Sequence, residues 1–398
     1  MNFANCRFCG VWMLAALLLL MASSAFAQDK SAPPPNGTII PMPNRLQNAD
    51  FECGDGGYYE SLDSRGKPIL LPNQWTLAAN GDVPTISSAR IFFEKKADPQ
   101  NGGCATRKAH VEKMSGEDSV LVRAFDLETP PEPGKPFDVS LWQQVDAISG
   151  TAYSLSGWLL TLCGGSNTVP KNDCPQDYYM AKLLGIDPAG GTDPNASTVV
   201  WAENRDNFVD SNNQRIGWSN VRTSATAAND KLTVFARINS PFQWHGNHGF
   251  IDALDLVQAP TAALTVVTTT VDAKSLTLHW DGDLGPDIPT IDGGNFHLYF
   301  DVQYWHARNG AWRDLQTGAT QPGEMPFATR CTNDTYHFRA RARAEQPEGI
   351  PGVSPNQRFP GVWGEPVDVF VPAPQGPPPE PAGSERAFLP IIHAVEGC

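Results

Sequence analysis

A chain of 398 residues with 43 acidic against 29 basic side chains carries a formal net charge of −14. That balance repels phosphate backbones and anionic lipid, which removes nucleic-acid and membrane-surface binding from the leading functions. Only 18% of the residues are charged while Gly and Pro number 35 each, a mix suited to a β-rich extracellular protein with many turns.

Arg7, the apolar run Val11–Ala22 and the small-residue ending Ala25-x-Ala27 read as a secretory signal over residues 1–27. The apolar run is shorter than the roughly 20 residues that span a bilayer, and no later segment is apolar enough to do so. The expected localisation is therefore secreted, extracellular or cell-surface associated. Cleavage after Ala27 leaves 371 residues (398 − 27), enough for two or three domains of about 150 residues each. Cys6 and Cys9 leave with the signal, and Cys53, Cys104, Cys163, Cys174, Cys331 and Cys398 remain. An even number in an exported chain predicts disulfides. Cys163 with Cys174, which flank a polar Gly/Asn/Pro loop, is the first pairing expected, and Cys53 with Cys104 the second. Cys331 and Cys398, on either side of a Pro-rich stretch, are each left open to being free thiols.

Residues 28–45 form a Pro-rich leader. From about Leu46 to Val257 no 3.6-residue apolar period appears. Short alternating runs such as "SLWQQVDAI", "TAYSLSGWLL", "KLTVFARI" and "GFIDALDLV" are separated instead by Gly, Asn, Asp and Pro. Many short strands with turn signals predict an all-β sandwich or jelly roll over 46–258, with a boundary near Ala259-Pro260. A second set of strands over 261–373 predicts a smaller antiparallel sandwich. Its cleanest run is Tyr336–Ala344, which places Tyr336, Phe338, Ala340 and Ala342 on one face and His337, Arg339, Arg341 and Arg343 on the other. Residues 374–398 are a polyproline-like spacer and tail.

Two resemblances attach to these segments. "LQNADFECG", "LPNQWTLAANG", "LWQQVDAISGTAYSLSGWLL" and "NHGFIDALDLV" are similar, in that order, to the galactose-binding-like jelly rolls and especially to carbohydrate-binding modules of the 4/9 type. "SLTLHW", "YFDVQYW" and "CTNDTYHFRARARA" resemble strands of a fibronectin type III domain, an immunoglobulin-like sandwich, with Tyr336 as its corner tyrosine. The stretches 281–296 and 345–361 are long for that family. The first resemblance implies a structural Ca²⁺ where the first and last strands meet, and the matching positions are Glu52 and Asp252. No cofactor is otherwise required.

The loop "DPAGGTDPN" invites a metal or phosphate reading. Its Asp187 and Asp193 lack the alternating oxygen ligands and closing Glu of a calcium loop, and no Lys completes a phosphate loop. Pro at position i+1, Gly where φ is positive and Asp as a cap explain every residue as a turn between two strands. His245 and His248 are three apart, close to Asp252 and Asp255, but the segment reads as a polar loop rather than a Zn²⁺ site. Sugar binding needs an aromatic ring left exposed to stack on the C–H face of a pyranose. Trp75, Trp142, Trp158 and Trp218 sit within strand patterns and are assigned mainly to the core. Tyr178, Tyr179, Trp201 and Trp244 are the candidate ligand-binding residues. The arginines at 339, 341 and 343 read first as a solvated strand face and second as a grip on an acidic glycan or protein.

No nucleophile elbow, HExxH, Walker or dinucleotide motif is present, so no catalytic residue is assigned and the chain is not expected to be an enzyme. The leading expectation is a secreted, non-catalytic protein that binds a polysaccharide or cell-surface glycan. The second sandwich would serve as spacer or protein-contact surface. A structural or adhesive envelope protein is the alternative, and a small glycoside hydrolase ranks below it.

Overall fold

The computed structural model describes residues 44–373, apart from 53–56, 63–67, 81–84, 89–113, 116–118, 124–136, 164, 167–168, 171–179, 206–217, 241–246, 269–273, 290–294 and 348–356. Residues 1–43 and 374–398, which hold the expected signal, most of the Pro-rich leader and the tail, lie outside the described residues. So do Cys53, Cys104, Cys174, Tyr178, Tyr179, Trp244 and His245, and with them both expected disulfide pairings.

The regular structure is antiparallel strand. In chain order the first part runs β1 (Tyr58–Leu62), β2 (Pro68–Pro72), β3 (Thr76–Asn80), β4 (Thr85–Ser88), β5 (Val120–Arg123), β6 (Phe137–Asp146) and β7 (Ala152–Cys163). It continues through β8 (Gly165–Ser166), β9 (Val169–Pro170), β10 (Ala181–Asp187), β11 (Val200–Asn204), β12 (Ser219–Thr226), β13 (Lys231–Ser240) and β14 (Asn247–Gln258). Two five-stranded sheets result, ordered β11-β10-β13-β6-β3 and β12-β7-β14-β5-β4. Alternation puts Val139, Leu141, Leu184, Ile186, Val234 and Ala236 of one sheet against Val122, Leu155, Leu159, Val221, Ile251 and Leu256 of the other in one buried cluster. The expected all-β sandwich is what forms.

The second part comprises β15 (Thr261–Thr268), β16 (Ser275–Asp283), β17 (His297–His306), β18 (Arg313–Ala319), β19 (Gly323–Ala328), β20 (Asp334–Glu345), β21 (Arg358–Pro360) and β22 (Val367–Val371). They pair as β15-β16-β19 and β18-β17-β20-β21, with β22 also on β20. Strand β20 buries every second residue, as the sequence pattern predicts. Its inward side chains close a core with Leu276, Leu278, Trp280, Phe300 and Val302. Tyr336 is buried, and its hydroxyl accepts hydrogen bonds from the backbone N–H of Cys331 at 2.9 Å and of Arg330 at 3.1 Å.

The two sandwiches meet through described parts of the stretches 281–296 and 345–361. Residues 281–289 carry Asp287, which accepts from Arg45 Nε at 2.8 Å and from the Gln258 N–H at 2.9 Å. Residues 357–361 carry Gln357, whose Nε2 donates to Ala253 O at 3.0 Å and Asp255 Oδ2 at 2.5 Å, while its Oε1 accepts from Ser156 Oγ at 2.7 Å. Val257, Ile288, Phe296, Ala344 and Phe359 form an apolar cluster beside these bonds.

Gly361 sits at the tightest point. Its N–H donates to Ala342 O at 2.8 Å and its carbonyl accepts from Ser224 Oγ at 3.2 Å. A Cβ there would stand 2.7 Å from Ala342 O and closer still to Pro260 O, both backbone atoms that cannot swing away. We therefore expect Gly361→Ala to cost about 1–3 kcal/mol, read as a lowered thermal midpoint, because overpacking must push the sheets apart.

Candidate functional site

The "DPAGGTDPN" loop joins β10 to β11 as a hairpin, the connection its residues predict. Asp187 Oδ1 accepts from the Ala189 N–H and its Oδ2 from Thr198 Oγ1, and Asp193 Oδ1 accepts from the Asn195 N–H. These carboxylates cap turns. The loop also anchors to the sheet. Arg237 reaches Pro194 O at 3.3 Å and Asn195 Oδ1 at 3.2 Å while holding Asp138 through two bonds of 2.7 and 2.5 Å.

Trp201 lies on the edge strand β11, on the sheet face opposite the buried cluster. In register across the sheet stand Trp201, Gly185, Phe235 and Trp142. Gly185 is the seat of the indole, since a Cβ at that position would meet the six-membered ring of Trp201 at 2.7 Å. The ring tilts against Phe235 with centroids 5.7 Å apart and lies under the Arg237 guanidinium at 5.5 Å. It remains half-buried, and with Gly185, Phe235 and Arg237 against the ring, what is left to solvent is an edge. Trp142, Trp158 and Trp218 are also half-buried, whereas Trp75 is fully enclosed and donates to Gln47 O and Asn48 O.

That available edge faces a cleft of about 500 Å³ between the two sandwiches. Trp201, Arg222, Thr223 and Ser224 line it from the first, and Asp301, Thr317, Arg341, Arg343 and Pro360 from the second. Trp201 and the arginine strand, separate candidates in the sequence, thus share one cleft.

The arginines are not a solvated stripe. Strand β17 presents Tyr299, Asp301 and Gln303 directly opposite Arg343, Arg341 and Arg339. Arg339 is held between the rings of Trp312 at 3.9 Å and Trp363 at 4.5 Å, and its Nη2 donates to Gln303 Oε1 at 2.7 Å. Arg341 lies over Trp363 at 4.6 Å and pairs with Asp301 at 2.9 Å. Arg343 pairs with Asp301 at 2.9 Å and with Glu345. Trp312 and Trp363 were invisible as partners in the sequence because neither lies in a strand whose alternation would place it against these arginines.

The Asp301 carboxyl is 3% exposed, and burial alone would raise it. Hydrogen bonds from Arg343, the Gly318 N–H and Arg341 outweigh burial and hold it below the usual carboxylate range. Arg222 is lowered from its ordinary value first by burial and then by the charges of Arg358, Arg343 and Arg341, against which Glu345 acts the other way.

Glu52 and Asp252, the positions matched to a calcium brace, do come within electrostatic reach of each other. Burial pushes Asp252 well above the usual carboxyl range, and the Glu52 charge adds to the rise. Three backbone N–H groups oppose it: Asp252 Oδ2 accepts from Met114 at 2.9 Å and Ser115 at 3.0 Å, and Oδ1 from Ala253 at 2.8 Å. Two carboxyl groups offer the oxygen donors a hard cation takes, although each Asp252 oxygen already accepts at least one N–H.

His248 departs from the sequence reading. It is buried within β14, paired to Leu162 on one side and Arg123 on the other, because the strand begins at Asn247 rather than after the histidines. His306, Cys331 and Asp334 converge within 4.8 Å, a grouping the sequence did not single out. Cys331 is disulfide-bonded, which closes the open question about this thiol, so the cluster has no thiolate to give a metal.

No family model and no curated protein matches this chain. Among solved structures, the chain is similar over 54% of its length, and over 98% of the other chain, to TmCBM61, solved in complex with beta-1,4-galactotriose, at 15% identity and a TM-score of 0.30. A family 16 carbohydrate-binding module is similar at 13% identity over 36% of this chain and 79% of its own, with a TM-score of 0.20. The adhesin domain of Epf from Streptococcus pyogenes is similar at 10% identity over 66% of this chain and 80% of its own, with a TM-score of 0.22. These similarities assign no residue a role. Among the described residues no helix is long and apolar enough to cross a membrane.

Proposed function

We propose that the chain is an exported, non-catalytic glycan-binding protein whose ligand enters the cleft between the two sandwiches. The observation that carries this reading is the half-buried Trp201 indole, seated on Gly185 and facing a cleft lined by hydroxyl and guanidinium groups. An aromatic edge beside hydrogen-bond donors offers apolar and polar contacts of the kind that recognise a pyranose, whose C–H face is apolar and whose rim is polar. The strands β15 to β22 act as a fibronectin type III-like sandwich that supplies one wall. The bonds of Tyr336 to the chain five and six residues upstream support that reading. A calcium ion between Glu52 and Asp252 would serve as a structural brace.

The test is retention of the full chain on a panel of immobilised polysaccharides, with Trp201→Ala alongside. Loss of this aromatic contact is expected to weaken retention about tenfold or more, equivalent to roughly 1.4 kcal/mol. No retention on any glycan would overturn the proposal, and retention unchanged in Trp201→Ala would move the binding surface away from the cleft.

A further inference from the structure

Arg222 stands apart from the other arginines of the cleft. It projects from β12 into the junction, and its strongest fixed contact is a long hydrogen bond from Nη1 to Asn220 Oδ1 at 3.5 Å. Among the described residues no carboxylate lies within ion-pair distance of it. The nearby acids are already committed: Asp301 holds Arg341 and Arg343, and Glu345 holds Arg343. The largest charge effects on Arg222 come from the guanidiniums of Arg358, Arg343 and Arg341, opposed by the carboxylate of Glu345. The chain as a whole carries −14, so this junction is a local reversal of sign.

A guanidinium stays charged at any ordinary pH, and it offers a planar fork of donors. Partly removed from water and crowded by like charges, it costs stability unless an anion joins it. Arg341 and Arg343 keep their positions through Asp301, so the cleft wall is already ordered before a ligand arrives. Trp201 and Thr317 line the same space, which places an aromatic edge and a hydroxyl beside the cations.

Resting on the reading of the cleft as a glycan site, we propose that its ligand is an anionic saccharide, whose carboxylate or sulfate group is gripped in bidentate fashion by Arg222 while a sugar ring lies against Trp201. Carboxylate and sulfate share the chemistry of two or more coplanar acceptor oxygens that fits a guanidinium fork.

The experiment titrates the full chain with polygalacturonic acid, dextran sulfate and a neutral galactan, at low and at physiological salt. The variants are Arg222→Gln, Trp201→Ala and Arg313→Gln, the last removing an exposed arginine of β18 with the same change in net charge. The proposal expects binding of at least one anionic polymer, weakened about tenfold or more in Arg222→Gln and less than about twofold in Arg313→Gln. The carboxylated and sulfated probes decide between the two anion sources. Arg222→Gln should melt at or above the wild type, because it removes like-charge repulsion.

Binding of the neutral galactan alone, lost in Trp201→Ala and unchanged in Arg222→Gln, would overturn this inference and leave the glycan reading standing. Equal losses in Arg222→Gln and Arg313→Gln would reduce the effect to net charge and also overturn it. Lost binding together with a lowered melting point in Arg222→Gln would make the arginine a strut of the junction and overturn it too. Binding to none of the three polymers, with none on the wider panel, would remove both readings.

Discussion

Asp301→Ala should lower stability by about 2–3 kcal/mol, the lower end of the cost of stripping one partner from a buried ion pair. The discount reflects the guanidiniums it holds, whose side chains are 32% exposed in Arg341 and 18% in Arg343 and recover some hydration when released. The Gly318 N–H, bonded to Asp301 Oδ1 at 3.0 Å, loses its acceptor at the same time. Chemical denaturation of wild type and variant at pH 7 measures the difference.

The same carboxyl has a definite pH signature. Because its folded value is depressed, its contribution is fully present above the unfolded value of about 4 and is lost as pH falls through the folded value. The gap between wild type and Asp301→Ala should therefore narrow on acidification below about pH 4. A gap that stays constant down to pH 2 would show that Asp301 acts through packing rather than charge.

Asp252 should behave in the opposite sense. Asp252→Ala removes the acceptor of three backbone N–H groups, two of them tying residues 114–115 to β14, and a loss of about 2–4 kcal/mol is expected. In EDTA the folded value of this carboxyl lies above its unfolded one, so the folded protein binds more protons over the window between them. Stability from this group is accordingly highest below about pH 4 and falls as pH rises through that window. Calcium added at pH 7 should raise the wild-type melting point and leave Asp252→Ala unmoved. Melting insensitive to both calcium and EDTA would remove the cation from the proposal while leaving the hydrogen-bonding role of Asp252 intact.

These two carboxylates illustrate how much of the molecule could be read from its residues. Asp252 was legible as one of an acidic pair through its place in a recognisable closing strand, and the structure brings it near Glu52. Asp301 carried no signal, since its meaning comes from lying opposite Arg341 in a paired strand. The alternation of β20 was equally plain and is matched residue for residue by burial. Strand periodicity is local, and a local pattern survives in sequence.

The cleft is a different kind of object. Trp201 and Arg341 were each weak candidates, 140 positions apart, and their convergence depends on how one sandwich docks on the other. That docking is built by Asp287, Gln357 and Gly361, residues of stretches that looked like insertions between strands. Arg222 drew no notice at all, because an arginine on a strand is ordinary until its neighbours are known.

The sequence by itself determined the all-β class, the alternating faces of the strands and the turn chemistry of the 188–199 hairpin. Each follows from φ/ψ preferences and a two-residue period that act within a few neighbours. Only the tertiary structure decided which arginines of the cleft are held by carboxylates, and that an aromatic edge and a cationic wall bound the same space. Those outcomes depend on how residues far apart in the chain are brought together, and charge and stacking respond to that placement in space.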